Sequence, residues 1–522
     1  MPDPVLPQIV LIWAGLLTIA ALGARELWRA RAGLRTDGWA AAAVFAAALA
    51  GRLWASPWAV LHVNAHGYEY LRSAFTLEGC FYKGAGYCAF FHPLTALFGR
   101  SPDTVFTANA ALGALGAVLL VPIGRLLLGA GIGPWAAALA CALFPPLWRL
   151  GGTEDMYPLA TVLALGSLWA WLAALREGGL SRHILAAACL GASMQTRPDM
   201  LGWIILLVLC LPLSLRPRGE VLRGAAAGAL CFAVLAGPWA FSLLGTLAGD
   251  PGSTVQRLFP ASAPVALPGD AVILDRRWTP PFLWLLFAAG AWQLWKARHW
   301  ALLPLLAGIP AVAWQILVQN NGEFERLRLQ SPSFALAMLL AGAGAAGLEA
   351  LAPGRWRRTV LVLSAALLSA GAWARVPLAR QAQNAQLEYG FLRRSLPSLP
   401  AARTIVMPDR FMAGRALSTE FPTWWLGGRT LVQLSRFLQA PQAAPEPRLF
   451  YSGLSCQTFA QQEAPAPDGV RPECRAVEKG FRLDPVVEEA FPNVPDGFMR
   501  VPNDVVRFGF YRLEPRRSGK AR

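Results

Sequence analysis

Apolar residues fall into long blocks between residues 8 and 376, each close to the ~20 residues an α-helix needs to cross a bilayer. The blocks predict spans over 8–24, 38–60, 104–128, 134–150, 158–175, 183–197, 199–215, 222–247, 280–296, 300–318, 332–351 and 358–376, about twelve in all. The block at 183–197 is short and weakly apolar. From residue 377 the pattern changes: long apolar runs stop, and Pro, Gln, Glu and Arg rise. A helix after Arg380 leads into four stretches rich in β-branched and aromatic residues, 403–409, 429–437, 447–454 and 504–514, which read as strands. The expected fold class is a polytopic α-helical membrane protein over residues 1–376, with a small C-terminal α/β extracytoplasmic domain over 377–522. No internal repeat is visible.

Composition agrees: 55% of residues are hydrophobic and 15% charged, against about 25% charged in soluble proteins. The formal net charge of +16 does not point to nucleic acid, because the basic residues flank the apolar blocks. Arg25, Arg29, Arg31 and Arg35 follow the first block. Arg125, Arg176, Arg182, Arg216, Arg218, Arg223, Lys296, Arg298, Arg355, Arg357 and Arg358 fall on the same side of the alternation. Cytoplasmic loops collect Lys and Arg, so both termini are expected outside, with the chain in the cytoplasmic (inner) membrane. The outer segments are then 61–103, with its polar core at 61–98, the region around 151–157, 248–279, 319–331 and the tail. The start, MPDP, is acidic and the positive charges come after the apolar run, a poor fit to a cleaved signal peptide.

Cysteines give an independent reading. Cys141, Cys189, Cys210 and Cys231 lie inside apolar blocks and read as small packing residues. Cys80 with Cys88, and Cys456 with Cys474, fall in outer segments, where close pairs are expected to form disulfides.

Polar chemistry concentrates at the outer boundary. The 61–98 segment holds three of the five histidines, His62, His66 and His92, with Glu69, Glu78, Tyr68, Tyr70 and Arg72. Three more sites follow: Arg149 with Thr153-Glu154-Asp155-Met156-Tyr157, then Gln195-Thr196-Arg197-Pro198-Asp199, then Asn320 to Arg328. Charges at membrane depth are costly and usually face a cavity, paired. Arginines in such a cavity can hold phosphate by bidentate hydrogen bonds. No P-loop, dinucleotide fingerprint, HExxH or Gly-x-Ser-x-Gly stands in a supporting context, which disfavours a nucleotide-sugar donor.

In order and spacing these segments resemble the GT-C superfamily of integral-membrane glycosyltransferases, especially bacterial protein mannosyltransferases and lipid A aminoarabinose transferases. The matching residues are Arg52, the 64–70 segment, Gly86-Tyr87, Pro93-Leu94, Glu154-Asp155-Met156-Tyr157-Pro158, Thr196-Arg197-Pro198-Asp199, and Arg326-Leu327-Arg328 before Pro332. The resemblance covers roughly residues 38–350. It implies a sugar moved from a polyprenyl-phosphate donor to a lipid, glycan or protein acceptor on the outer face. It implies no required cofactor, a divalent cation being possible. Arg197 with Arg326 or Arg328 would hold the phosphate, and Glu154 and Asp155 would orient the acceptor or the base. Tyr70 would take the family's tyrosine position.

One departure stands out. Where the family carries an acidic residue before that tyrosine, this chain reads Asn64-Ala65-His66-Gly67-Tyr68-Glu69-Tyr70. Glu69 could be a displaced base. His66 could be the base, since its unperturbed pKa near 6.5 suits the task. Or catalysis has been lost, leaving a non-catalytic assembly protein. A metal held by His62, His66 and His92 is a further option, although no tight ligand motif is present. A transporter or flippase of lipid-linked glycans is a third class, but it would carry its charges near the midplane and show repeated halves.

Overall fold

The computed structural model of the 522-residue chain describes all residues except 1–4, 30, 61–66, 79, 81–83, 250–270, 317–322, 400–403, 412–414, 417–425, 427, 458–468, 495–502 and 516–522. It divides into two compact units. One comprises Met1–Trp58, Ser73–Asn320 and Glu325–Arg380; the other comprises Ala59–Arg72, Asn321–Phe324 and Gln381–Arg522.

The first unit is helical. Its elements begin α1 (Val5–Arg29), α2 (Arg31–Ala55), α3 (Gly67–Thr76, whose first turns belong to the second unit), α4 (Gly86–Phe98), α5 (Pro102–Leu128) and α6 (Ile132–Ala142). They continue with α7 (Pro145–Gly151), α8 (Tyr157–Glu177), α9 (Leu180–Thr196), α10 (Trp203–Leu209) and α11 (Arg218–Gly249). Further helices include Pro281–Lys296, Glu323–Leu351 and Arg357–Trp373. Among the described residues, six helices are long and apolar enough to cross a membrane. They are Pro7–Arg29, Asp37–Ala55, Pro102–Leu128, Tyr157–Glu177, Arg218–Ala240 and Arg326–Leu351. Ile132–Ala142, Pro198–Leu213 and Pro304–Trp314 are shorter apolar helices. The architecture is that of a multi-pass membrane protein.

Three expected spans are not continuous helices. The one at 134–150 breaks at Leu143-Phe144 into α6 and α7. Pro145 and Pro146 cause this: they lack N–H groups, and the residue before a proline is pushed out of the helical region. Phe144 is extended accordingly, at φ −85° and ψ 111°. The one at 199–215 becomes a 3-10 turn (Pro198–Gly202), α10 and a second 3-10 turn around Pro212. The one at 300–318 opens as a π turn at Pro304–Gly308. The 61–98 segment, expected as a loop, carries α3 and α4. Bundle helices approach closely where glycines remove side chains. A Cβ on Gly290 or Gly344 would run into backbone of the facing helix, as small residues allow in membrane bundles.

In the second unit the tail forms a five-stranded sheet. Its strands are β1 (Thr404–Met407), β4 (Thr430–Gln433), β5 (Arg448–Ser452), β6 (Phe481–Pro492) and β7 (Val505–Pro515). A separate small hairpin holds β2 (Arg410–Phe411) and β3 (Arg415–Ala416). The order is β4-β1-β5-β7-β6, parallel at β4-β1-β5 and antiparallel at β5-β7-β6. The strand alternation sorts two cores. Tyr451, Phe508 and Phe510 pack against Phe391 of the helix Asn384–Ser398. Phe450 and Leu513 pack with Phe437, Val477 and Phe481 on another face. The four expected strands are present, except that the second, expected over 429–437, gives way at residue 434 to the helix Leu434–Gln439. β6 was missed in the sequence because Pro485 and mixed charge mask it; as the sheet's edge it tolerates proline, with a bulge at Pro485/Val487.

Both expected disulfides are formed, Cys80–Cys88 and Cys456–Cys474, with Cα separations of 5.9 and 5.7 Å. Cys141, Cys189 and Cys210 are buried free thiols and Cys231 is half-buried.

Candidate active site

Within the membrane unit, four segments separate in sequence meet at one place. The first is the turn entering α4. Gly84 has φ +109°, and a Cβ there or on Gly86 would collide with the Gln195–Thr196 backbone at the end of α9. Tyr87, next along, donates its hydroxyl to the Glu154 carbonyl at 2.8 Å. The second segment, 152–157, is tied down on every side. Asn109 of α5 donates to the carbonyls of Thr153 (2.7 Å) and Asp155 (2.8 Å). Gly152 N–H donates to Ser56 Oγ at 3.1 Å. The Asp155 carboxylate accepts from Tyr157 N–H at 3.4 Å, fixing the start of α8. Glu154, Asp155 and Arg149 are fully buried.

The third segment is Arg197-Pro198-Asp199. Pro198 forces Arg197 into an extended conformation (φ −146°, ψ 119°), ending α9, and opens the following 3-10 turn. This throws both charged side chains toward α8. Arg197 Nε donates to Asp199 Oδ1 at 3.0 Å, and Arg197 Nη2 donates to the Tyr157 hydroxyl at 2.7 Å. The same phenol donates to Asp199 Oδ2. The guanidinium carbon of Arg197 lies 4.6 Å from the Tyr157 ring centre, within cation–π range. The fourth segment supplies Arg328, whose guanidinium carbon is 5.8 Å from the same ring centre. Arg328 is buried, whereas Arg326 is half-buried. Two residues along a helix is a rotation of about 200°, so the two arginines serve opposite sides.

Asp199 also stands at the polar end of a cavity of ≈ 220 Å³ lined by Met200, Trp203, Leu206, Val312 and Leu336. The grouping thus offers two guanidiniums, a phenol and a carboxylate beside an apolar slot. Such a set suits an amphiphile with an anionic head. Arg52 serves a different purpose: it is buried at 1% exposure, donates to the Ala48 carbonyl at 2.9 Å, and is enclosed where Gly113 and Gly151 leave room for it.

Of the residues expected from sequence, Arg197 and Arg328 are brought together, with Glu154 and Asp155 in the supporting segment. Tyr157, whose ring both arginines approach, and Asp199, which bonds Arg197 and Tyr157, stood inside the sequence motifs but were given no role there. The signal for Asp199 was its place two residues after Arg197. Glu69 and Tyr70 belong to the other compact unit. On α3 Glu69 is half-buried between the buried Tyr68 and Tyr70. His62 and His66 lie outside the described residues. His92 Nδ1 is 3.2 Å from the Ala74 carbonyl, an acceptor, so that nitrogen is the protonated one. Among the described residues no three His, Cys, Asp or Glu side chains group as metal ligands.

No protein-family model matches the sequence, and no curated protein matches it. Solved structures do match. ArnT from Cupriavidus metallidurans bound to undecaprenyl phosphate aligns over 91% of this chain and 98% of its own, with a TM-score of 0.55 at 12% identity. Its apo state gives the same TM-score of 0.55 at 13% identity. The arabinofuranosyltransferase AftD from Mycobacteria aligns over 91% of this chain and 40% of its own, with a TM-score of 0.54 at 16% identity. This chain has the GT-C fold. The GT-C likeness runs through both the membrane unit and the tail, since it takes in nine-tenths of the sequence. At these identities the likeness is one of fold.

Proposed function

We propose that this protein is a membrane glycosyltransferase that moves a sugar from a polyprenyl-phosphate donor to a lipid, glycan or protein acceptor on the outer face of the cytoplasmic membrane. The observation that carries this reading is the Arg197–Tyr157–Arg328 cluster, with Asp199 at the head of an apolar cavity, in a GT-C fold. The ArnT structure bound to undecaprenyl phosphate supports a lipid-phosphate ligand for this fold. The topology proposed with it has about twelve spans and both termini extracytoplasmic. An impermeant thiol reagent labelling a cysteine introduced in the 355–358 loop of intact cells would overturn that topology.

In the proposed mechanism, Arg197 and Arg328 hold the phosphate and the polyprenyl chain lies along Trp203 and Leu336. The acceptor hydroxyl or amine attacks the anomeric carbon as the carbon–oxygen bond to phosphate breaks, and the electron pair leaves on the phosphate. Fixed guanidiniums meet the charge that develops there. Glu69 takes the acceptor's proton, with His66 the alternative. Glu154 and Asp155 act from beneath, holding the segment that aims Tyr157. Tyr70 helps seat the helix bearing Glu69. Arg326 is the reserve phosphate ligand. One displacement inverts the anomeric configuration.

The test is transfer by purified protein from a panel of lipid-linked sugars, with and without chelator, comparing wild type with Glu69→Gln, His66→Ala and Arg197→Ala. Loss of a general base costs typically 10²–10⁴-fold, so Glu69→Gln should fall by that order. Full transfer by Glu69→Gln removes Glu69 as base, and full transfer by both loop variants rejects the mechanism. Wild-type protein that binds the lipid phosphates but transfers from none points to the assembly-protein reading.

A further inference from the structure

The tail unit buries a carboxylate that the mechanism above does not use. Glu388, on the helix Asn384–Ser398, has no exposed surface. Its Oε1 accepts from the Tyr451 hydroxyl at 2.6 Å and from the Leu454 N–H at 3.0 Å. Its Oε2 is buried with no hydrogen bond among the described residues. The surroundings are aromatic: Tyr451 on β5, Phe391 stacked on it, and Phe510 beyond. The fit is close, since a Cβ on Gly453 would strike both Glu388 and Tyr451.

Into this pocket the first-loop segment sends Tyr68. Tyr68 is 2% exposed, its ring centre is 6.4 Å from that of Tyr389, and it lies within electrostatic reach of the Tyr451 hydroxyl. Among the described residues the side chain bonded to Glu388 is a phenol, Tyr451 from β5; Tyr389, next on its own helix, and Tyr68 from α3 are the further phenols nearby, Tyr68 beside Tyr389 and within electrostatic reach of Tyr451. No Arg, Lys, Asp or Glu bonds to it among the described residues. Tyr68 precedes Glu69 on α3, so whatever seats Tyr68 sets the residue proposed as base.

We propose that Glu388 is a positioning residue, and that its hydrogen bonds to Tyr451 and Leu454 form, in the protonated state, the floor on which Tyr68 seats the start of α3. This rests on the reading of Glu69 as base for its effect on transfer, but not for its effect on structure. Burial pushes the Glu388 carboxyl up to about 7, outweighing the hydrogen bonds from Tyr451 and Leu454 that lower it. Ionised, it leaves a charged Oε2 with no donor, and the pocket must admit water to solvate it. Seating of Tyr68 is then complete below neutrality and weakens as pH rises through 7.

The experiment is hydrogen exchange in the full-length protein in nanodiscs at pH 6 and pH 8, corrected for intrinsic rates, read on the peptide covering residues 67–72. Wild type should show exchange in that peptide several-fold faster at pH 8. Glu388→Gln, which has no proton to lose, should show the same corrected rate at both. Glu388→Ala should be fast at both. Equal wild-type rates at the two pH values overturn the proposal, as does a pH response that survives in Glu388→Gln. Transfer assays add a separate readout. If Glu69 is the base, Glu388→Gln keeps kcat and loses the decline above pH 7, whereas Glu388→Ala lowers kcat more than it raises KM. A normal exchange result with no effect on transfer would leave Glu388 positioning Tyr68 and remove Glu69 as base.

Discussion

Asp199, half-buried, and Glu388, fully buried, are carboxylates that receive opposite company. Asp199 meets a guanidinium and a phenol in the membrane unit, with Arg197 Nε at 3.0 Å. Glu388 meets a phenol and one amide in the tail, and no cation. A buried charge is tolerable when paired and hydrogen-bonded, and otherwise the group takes a proton. The first arrangement therefore builds a fixed charge pattern, suited to holding an ion. The second builds a neutral group that responds to pH. In the reading proposed above, the same functional group helps to anchor a binding site in one unit and answers to pH in the other.

The comparison breaks most directly at Arg197. Arg197→Ala removes a proposed phosphate donor and leaves Asp199 without its cation. Transfer should fall about 10²–10³-fold, the usual cost of losing one charge-stabilising donor. Arg197→Lys should recover only part, because a point charge cannot reproduce the fork to Asp199 and Tyr157. Steady-state kinetics checks both; a lysine variant with wild-type kcat/KM would show that geometry there is unimportant.

Next comes the pH dependence of the tail's stability. The folded state holds the Glu388 proton more tightly than the unfolded chain, where the carboxyl has its ordinary value of 4.5. Between 4.5 and about 7 folding therefore takes up a proton, and stability falls as pH rises through that window before levelling off. A displacement of that size corresponds to roughly 3 kcal/mol, present at pH 4.5 and lost by pH 8. Calorimetry of the tail transition in wild type and Glu388→Gln should show a pH-dependent midpoint in the first that is missing from the second.

The smallest effect separates two arginines. Arg328 reaches the Tyr157 ring and Arg326 lies about 200° around the helix. Arg328→Ala should lower transfer at least tenfold, and Arg326→Ala only a few-fold. The reverse ranking, read from kcat/KM, would exchange their roles.

Much of this was legible in the chain. Apolar block length marks the spans because the bilayer fixes the length a helix needs. It failed at 134–150 because hydropathy is blind to the Pro145-Pro146 pair that ends a helix. Strands with β-branched and aromatic alternation were visible, while β6 was hidden by Pro485 at an edge position. For the site, order along the chain pointed to Arg197 with Arg326 or Arg328, and the fold brings Arg197 and Arg328 to the same phenol. Tyr157 was visible as part of a motif, but its bond to Arg197 was not, because packing alone closes the 40 residues between them. The approach of Tyr68 to Tyr389 likewise joins distant parts of the sequence, with no local signal.

The glycines that enter α4 have a consequence for genetics. Gly84 and Gly86 touch no proposed ligand, yet both lie flush against the backbone one and two residues before Arg197. Any side chain there must displace that backbone, and Arg197 with it. In a saturation screen scored by transfer, positions 84 and 86 would therefore rank beside Arg197 as intolerant. A reader of such a map would draw the active site too large. A smaller residue at Thr196 would not rescue Gly86→Ala, because the backbone of Gln195 and Thr196 would still stand in the way.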